Sequence, residues 1–247
     1  MFDIEKCIHC TLCQNICDKN CHTFENNIHK VNFENCNVCK KCVDICPKKA
    51  IFLAGEIKEA SYIANEVLKD KVFYETSGGG VTISGGEPLF QSDFTIEILK
   101  VCKKNGIHTA IETCGFASKE IFEKVVSNCD LVLFDIKETN DEKHKKFTGV
   151  PFSPIYENLK LLDNMNIPFI IRLPIIPTLN DTKEHFDKIK EIVNSLKNVK
   201  DVEIMPYHVL GNYKYGQLGE KYLLEGIKEP DKETVEKWNE YIKKLKP

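Results

Sequence analysis

The feature that most constrains this chain is a pair of cysteine runs with the same spacing. Cys7, Cys10, Cys13 and Cys17 stand in CIHCTLCQNIC, and Cys36, Cys39, Cys42 and Cys46 in CNVCKKCVDICP, the second run closed by Pro47. Thiolates two residues apart on a turning backbone grip one iron–sulfur cubane, and where a chain holds two cubanes the fourth cysteine of each run reaches the other cluster. The spacing therefore assigns Cys7, Cys10, Cys13 and Cys46 to one 4Fe-4S cluster and Cys36, Cys39, Cys42 and Cys17 to a second. Zinc knuckles and disulfide staples also use CxxC pairs, but neither accounts for the third cysteine of each run. Cys21 is left over, and because Asp18 rather than proline follows Cys17, Cys21 competes with Cys17 for the fourth position.

A two-cluster module of this ferredoxin-like kind uses roughly 50 residues, so a chain of 247 has ample length for a second core. We expect a ferredoxin-like domain over residues 1–54 and a larger domain over 55–247. With 37 acidic against 34 basic residues the net charge is −3, which offers no bulk field for nucleic acid or an anionic membrane. No apolar run approaches the roughly 18 residues of a membrane span, and MFDIEKC lacks the regions of a secretion signal, so the expected location is cytoplasmic. Twelve cysteines, mostly at ligand spacing, point to a reducing and anaerobic setting. Of the 34 basic residues only Arg172 is arginine, which marks a place where a planar, always-charged fork is required.

From about residue 56 the texture becomes alternating helices and short β-rich runs. IKEASYIANEVLKD places Ile57, Ala60, Ile63, Ala64, Val67 and Leu68 on one helical face. Strands are expected at VTIS, IHTAIE (107–112), LVLFDI (131–136), PFIIRL (168–173) and VEIMP (202–206), separated by helical stretches, which is the pattern of a parallel sheet. Each strand ends in a polar cluster: SGGEP (84–88), ETCG (112–115), DIK (135–137), RLP (172–174) and MPYH (205–208). In parallel α/β architectures the carboxyl ends of the strands open on one face, so these clusters converge on one site. The glycine run is neither a P-loop, having no GK[ST], nor a G-x-G-x-x-G fingerprint.

The segments GGGVTISGGEPLFQ, IETCG, LVLFDIK, HKKFTG, IRLPIIPTLND and MPYHVLGNYKYGQLG, in that order behind the cysteine module, resemble the glycyl radical enzyme activating enzymes. Those are radical S-adenosylmethionine (SAM) proteins related to pyruvate formate-lyase activating enzyme, and the likeness runs from residue 7 nearly to the end. The resemblance implies a TIM-like partial (β/α)6 barrel. It implies that Gly85, Gly86 and Glu87 hold the SAM amino group, that His208 lies against the nucleoside, and that Asp135, Lys137 and Arg172 surround the ribose, sulfonium and carboxylate end. It further implies a monovalent cation between Glu112, Thr113 and Asp135. No side chain is identified as a catalytic acid or base.

The family's SAM-binding cluster sits on a CxxxCxxC loop after the first barrel strand, and that spacing does not occur in these 247 residues. Cys102, Cys114 and Cys129 are scattered singly and read as small hydrophobes. The expectation is therefore a barrel missing its first strand, through a misplaced start, a fragment or a separate chain, and no SAM cleavage by this chain alone. In the full-length protein the resemblance implies that a donor such as flavodoxin or ferredoxin passes an electron through the two clusters, that SAM splits to a 5′-deoxyadenosyl radical, and that this radical removes a glycine Hα from a partner enzyme. Two alternatives are an electron-transfer ferredoxin–barrel protein without SAM cleavage and a radical SAM enzyme acting on a small molecule.

Overall fold

The structure, a computed structural model, describes residues 1–243. Along the chain run helices α1 (Leu12–Ile16), α2 (Lys41–Ile45), α3 (Ala60–Leu68), α4 (Lys71–Ser77), α5 (Ser92–Lys104), α6 (Lys119–Val126), α7 (Asp141–Thr148), α8 (Ser153–Asn164), α9 (Lys183–Ser195), α10 (Asn212–Leu218) and α11 (Lys232–Lys243). The strands are β1 (His22–Glu25), β2 (Ile28–Val31), β3 (Gly80–Ile83), β4 (His108–Thr113), β5 (Leu131–Asp135), β6 (Phe169–Ile175) and β7 (Val199–Pro206). Two compact units form, Met1–Ile57 with His208–Lys228, and Lys58–Tyr207 with the chain from Glu229 onwards. Residues 208–228, expected in the larger domain, thus group with the N-terminal unit, where the Phe2 N–H donates to the Gln217 carbonyl at 2.8 Å. The last four residues of the domain expected at 55–247 lie outside the described residues.

In the first unit the two cysteine runs fold alike. Each carries a short helix, α1 or α2, preceded by left-handed residues at matching places: His9 and Thr11 in the first run, Val38 and Lys40 in the second. Asn20 and Lys49, also matched, are left-handed after the fourth cysteine. A β-branched valine at φ 54° is strained, and such strain persists where the surroundings over-determine the backbone. Between the runs, β1 and β2 form an antiparallel hairpin in which Asn26 and Asn27, both at positive φ, make the turn. Phe2, Cys13, Ala50 and Ile51 form its small core.

The second unit is built on a five-stranded parallel sheet whose spatial order, β3-β4-β5-β6-β7, is the chain order. This is the α/β fold expected, with each of the five anticipated runs forming a strand. One face of the sheet is buried: Ile111, Val132, Phe134, Phe169, Ile171, Leu173 and Ile175 are fully covered and share one core with α5, α6, α8 and α9, whereas Leu131, Leu133 and Ile170 on the opposite face are half-buried. One helix differs from its pattern. Its apolar periodicity extends back to Ile57, yet α3 starts at Ala60 and Ile57 is fully exposed, because Glu59 is still extended and no Ser, Thr, Asp or Asn offers a cap upstream.

Candidate functional site

The carboxyl ends of β3 to β6 bring together six of the seven charged or hydroxyl side chains singled out there. Glu87, just past β3, accepts from the Leu89 N–H at 3.2 Å, from Thr113 Oγ1 at 2.7 Å and from the Cys114 N–H at 2.9 Å, tying the β3 and β4 ends together. All three donors are neutral. Arg172 on β6 donates to Glu112 Oε1 of β4 at 2.8 Å, and its Nε stands 3.5 Å from Asp135 Oδ1 of β5. Lys137 Nζ closes the chain on Asp135 Oδ2 at 3.2 Å, and Ser84 Oγ donates to Glu112 Oε2 at 3.1 Å. The charges therefore alternate along the rim: Glu112, Arg172, Asp135, Lys137. Arg172 and Asp135 are only 14 and 13 % exposed, and both Arg172 Nε and Asp135 Oδ1 lack a hydrogen-bond partner.

Gly85 and Gly86 stand beside Glu87 with open space where a Cβ would be, and Gly85 has φ +117°. Gly115 is different: its φ is +72° and a Cβ would lie 2.4 Å from Phe134 Cζ. His208 is exposed and belongs to the first unit, so it is not among the side chains that the sheet assembles. Of the single cysteines, Cys102 and Cys129 are buried, whereas Cys114 is half-buried beside Glu87. Burial, reinforced by Glu87, pushes the Cys114 thiol up to about 11. Next to this rim Glu87, Cys114 and Lys137 share a cavity of about 510 Å³ with Phe90 and Phe116.

Three polar side chains escaped the sequence reading. Asn180 donates to the carbonyls of Lys137 at 2.6 Å and Pro174 at 2.7 Å, and accepts from the Ile176 N–H at 2.7 Å, locking the β5 and β6 loops. Glu138 and His185, both about 1 % exposed, face each other at 3.5 Å under the same loop. Burial pushes the Glu138 carboxyl up, but His185 and the N–H groups of Asn140 and Thr139 outweigh it and hold the group at about 2. Polar residues immediately after a strand-end cluster were the available signal.

In the first unit the cysteines gather in the two sets drawn from the spacing. Cys7, Cys10, Cys13 and Cys46 line one recess; Cys17, Cys36, Cys39 and Cys42 line a second cavity of about 270 Å³, together with Cys21. The fourth cysteines are treated alike: Cys46 Sγ accepts the Ala50 N–H at 3.3 Å and Cys17 Sγ the Cys21 N–H at 3.4 Å. Cys21 thus occupies the place that Ala50 takes in the other run, and each is 2 % exposed. For both fourth cysteines burial raises the thiol, but backbone N–H groups prevail and the net shift is downward. Burial instead drives Cys13 and Cys21 up to about 11.

Residues 37–202 match the radical SAM superfamily. The pyruvate formate-lyase-activating enzyme of Clostridium pasteurianum is 41 % identical over 191 residues, covering 77 % of this chain and 80 % of the relative. The chain belongs to the radical SAM superfamily, among the glycyl radical enzyme activating enzymes. The choline trimethylamine-lyase activating enzyme of Oleidesulfovibrio alaskensis is 38 % identical over 239 residues, covering 93 % of this activase and 77 % of the relative. A solved domain of pyruvate-formate lyase-activating enzyme from Bacteroides vulgatus superposes with a TM-score of 0.56 at 30 % identity, covering 68 % of this chain and 94 % of that one. Membership implies a 4Fe-4S cluster and SAM, and among the described residues no helix of this activase is long and apolar enough to cross a membrane.

Proposed function

We propose that this chain binds SAM on the strand-end rim and, as an activating enzyme, serves the installation of a glycyl radical on a partner enzyme. The observation that carries this is the convergence of Glu87, Glu112, Thr113, Asp135, Lys137 and Arg172 from four neighbouring strands in a member of that family. Glu87 and the open backbone of Gly85 and Gly86 suit an ammonium, because a carboxylate and carbonyls accept and a Cβ-free backbone can be approached closely. Lys137, 40 % exposed, is placed to meet the methionine carboxylate, with Arg172 and Asp135 fixed beside it. His208 is assigned to the nucleoside on the family likeness alone. A cation at Glu112, Thr113 and Asp135 has weaker support, since Arg172 already bridges the two carboxylates and the Thr113 hydroxyl is spent on Glu87.

We read the first unit as a ferredoxin-like domain of two 4Fe-4S clusters. Support comes from the donor sets: Cys7, Cys10, Cys13 and Cys46 share one recess, and Cys36, Cys39, Cys42 and Cys17 share the other. Left-handed residues of the kind that occur in anion-binding nests stand before each helix, and the Val38 N–H donates to Cys36 Sγ at 3.4 Å. Cys17 rather than Cys21 is the fourth ligand, because Cys17 matches Cys46 and Cys21 matches Ala50. Such clusters supply one-electron transfer, and the chain's part is to hold them and to accept the electron from a flavodoxin or ferredoxin in the cytoplasm. Cysteines at CxxxCxxC spacing for the SAM-bound cluster do not occur in this sequence, so no step is assigned to residues of this chain there.

The test is SAM binding and partner activation after anaerobic reconstitution, run on this chain and on its reading frame extended upstream. Glu87→Gln is expected to weaken SAM binding roughly 10-fold or more, the worth of a charge-assisted hydrogen bond. With a glycyl radical enzyme present, a protein radical on glycine should appear together with 5′-deoxyadenosine. Unchanged SAM affinity in Glu87→Gln, or 5′-deoxyadenosine formed with no partner radical, would defeat the proposal.

A further inference from the structure

His29 and His22 have no part in the site above, yet both are buried against a cluster-binding cysteine. His29 is the one buried residue of β2, with Phe24 stacked on its ring at 4.2 Å and Phe2 edge-on at 4.4 Å, so the imidazole is clamped in orientation. Its Nδ1 lies 3.3 Å from Cys7 Sγ and its Nε2 lies 3.7 Å from Cys13 Sγ and 3.1 Å from His22 Nδ1. His22, His29 and Cys13 bring one ligand atom each within 4.8 Å of one another.

One proton arrangement satisfies the two shorter contacts, those of His29 with Cys7 and His22. An iron-bound Cys7 is a thiolate and can only accept, so a lone pair on His29 Nδ1 would face it repulsively. With the proton on Nδ1, His29 donates to Cys7 at 3.3 Å and its Nε2 accepts from His22 Nδ1–H at 3.1 Å, which matches donor to acceptor at the two shorter contacts and leaves an unprotonated Nε2 at the longer, 3.7 Å approach to Cys13 Sγ. Hydrogen bonds to cluster sulfurs partly neutralise their charge and favour the reduced, more negative state. Among the described residues no imidazole is hydrogen-bonded to a sulfur of the second quartet, although buried His22 lines that cavity together with the buried Cys21 thiol.

Resting on the two-cluster reading above, we propose that His29, oriented by His22, is a positioning residue whose Nδ1–H raises the reduction potential of the cluster held by Cys7, Cys10, Cys13 and Cys46. That cluster then takes up an electron more readily than it would without the imidazole. The electron comes from the external one-electron donor, and no proton moves between His29 and Cys7.

The experiment is an anaerobic redox titration of the reconstituted chain followed by electron paramagnetic resonance, with iron, sulfide and zinc counted on each sample. In His29→Leu one of the two cluster reductions should become at least 10-fold less favourable at fixed potential, about 59 mV for one electron, while the other stays put. His22→Phe should shift the same step the same way by less, and His29→Gln should recover part of the loss. On the wild-type protein the reduced cluster should show a proton coupling that disappears in D2O. Unmoved potentials at wild-type iron content overturn the proposal, as does an equal shift of both steps. Should His29→Leu lose iron, the wild-type proton coupling decides, and its absence overturns the proposal. Wild-type protein without cubanes, or with zinc at Cys13, His22 and His29, instead overturns the cluster reading itself.

Discussion

Arg172→Met removes the guanidinium that holds Glu112 at 2.8 Å and stands 3.5 Å from Asp135, while keeping the apolar stem. Breaking a fully buried pair by deleting one partner costs about 3–5 kcal/mol. Here Arg172 and Asp135 are 14 and 13 % exposed and Glu112 29 %, so water screens part of the loss, and roughly 2–3 kcal/mol is expected. Lys137 still serves Asp135, but Glu112 keeps only Ser84. Arg172→Lys restores the charge without the fork that reaches two carboxylates, and should cost roughly 1 kcal/mol. In Glu112→Gln/Arg172→Met no unpaired carboxylate remains at position 112, so the double change should cost roughly 1–2 kcal/mol less than the sum of the singles. The assay is urea unfolding followed by the fluorescence of Trp238, the one tryptophan, which is 7 % exposed in the core of the sheet-bearing unit. The midpoint should fall with an unchanged slope. A loss below about 0.5 kcal/mol for Arg172→Met, or strict additivity in the double variant, would refute the network as described.

Gly115→Ala meets two penalties, about 1 kcal/mol for a left-handed alanine and about 1–3 kcal/mol for a Cβ 2.4 Å from the fully buried Phe134 ring. The Trp238 melting point should fall by roughly 4–16 °C, against a few degrees for Gly149→Ala, which has φ +88° but open space. Cys21→Ala should retain wild-type iron, as Ala50 does at the matching place, whereas Cys17→Ser should lose it from one cluster; equal loss in both would return Cys21 to the ligand set. Glu138 is held at about 2 against an ordinary 4.5, so its stabilisation of about 3 kcal/mol is complete above the unfolded value and disappears as pH falls from about 4.5 towards 2. Glu138→Gln should therefore lose that amount at neutral pH and converge on wild type in acid; a constant difference across pH would contradict the assignment.

The sheet was legible because FIIRL and LVLFD are apolar runs of strand length, although only alternate residues are fully buried, Phe169, Ile171 and Leu173 in the first and Val132 and Phe134 in the second. Their polar ends were legible because a charge at the end of a buried strand has only the rim to occupy. What could not be read was who pairs with whom. Glu87 finds Thr113 and Cys114 through the register Ile83↔Ile111, which depends on tertiary packing. Residues 208–228 carry no buried side chain in α10, and their membership of the first unit rests on contacts such as the Phe2 to Gln217 backbone bond, invisible to any periodicity. His29 was missed because a hairpin histidine becomes significant only when a cysteine from a distant loop folds against it.

The electrostatics of the rim also decide which carboxylate is free for a cationic ligand. Glu112 and Asp135 are each met by a cation, Arg172 for the first and Arg172 with Lys137 for the second. Glu87 is met by neutral donors, the Leu89 and Cys114 N–H groups and the Thr113 hydroxyl, and these fix its orientation. The Cys114 thiol also meets Glu87, and the bare backbone of Gly85 and Gly86 adjoins it in the chain. The single unsatisfied Asp135 oxygen, by contrast, faces a guanidinium that already screens it. An ammonium entering this rim therefore gains most at Glu87, and an incoming carboxylate gains most at Lys137, the more exposed of the two cations. That polarity across the rim orients an amino-acid head group before any iron site contributes to its binding.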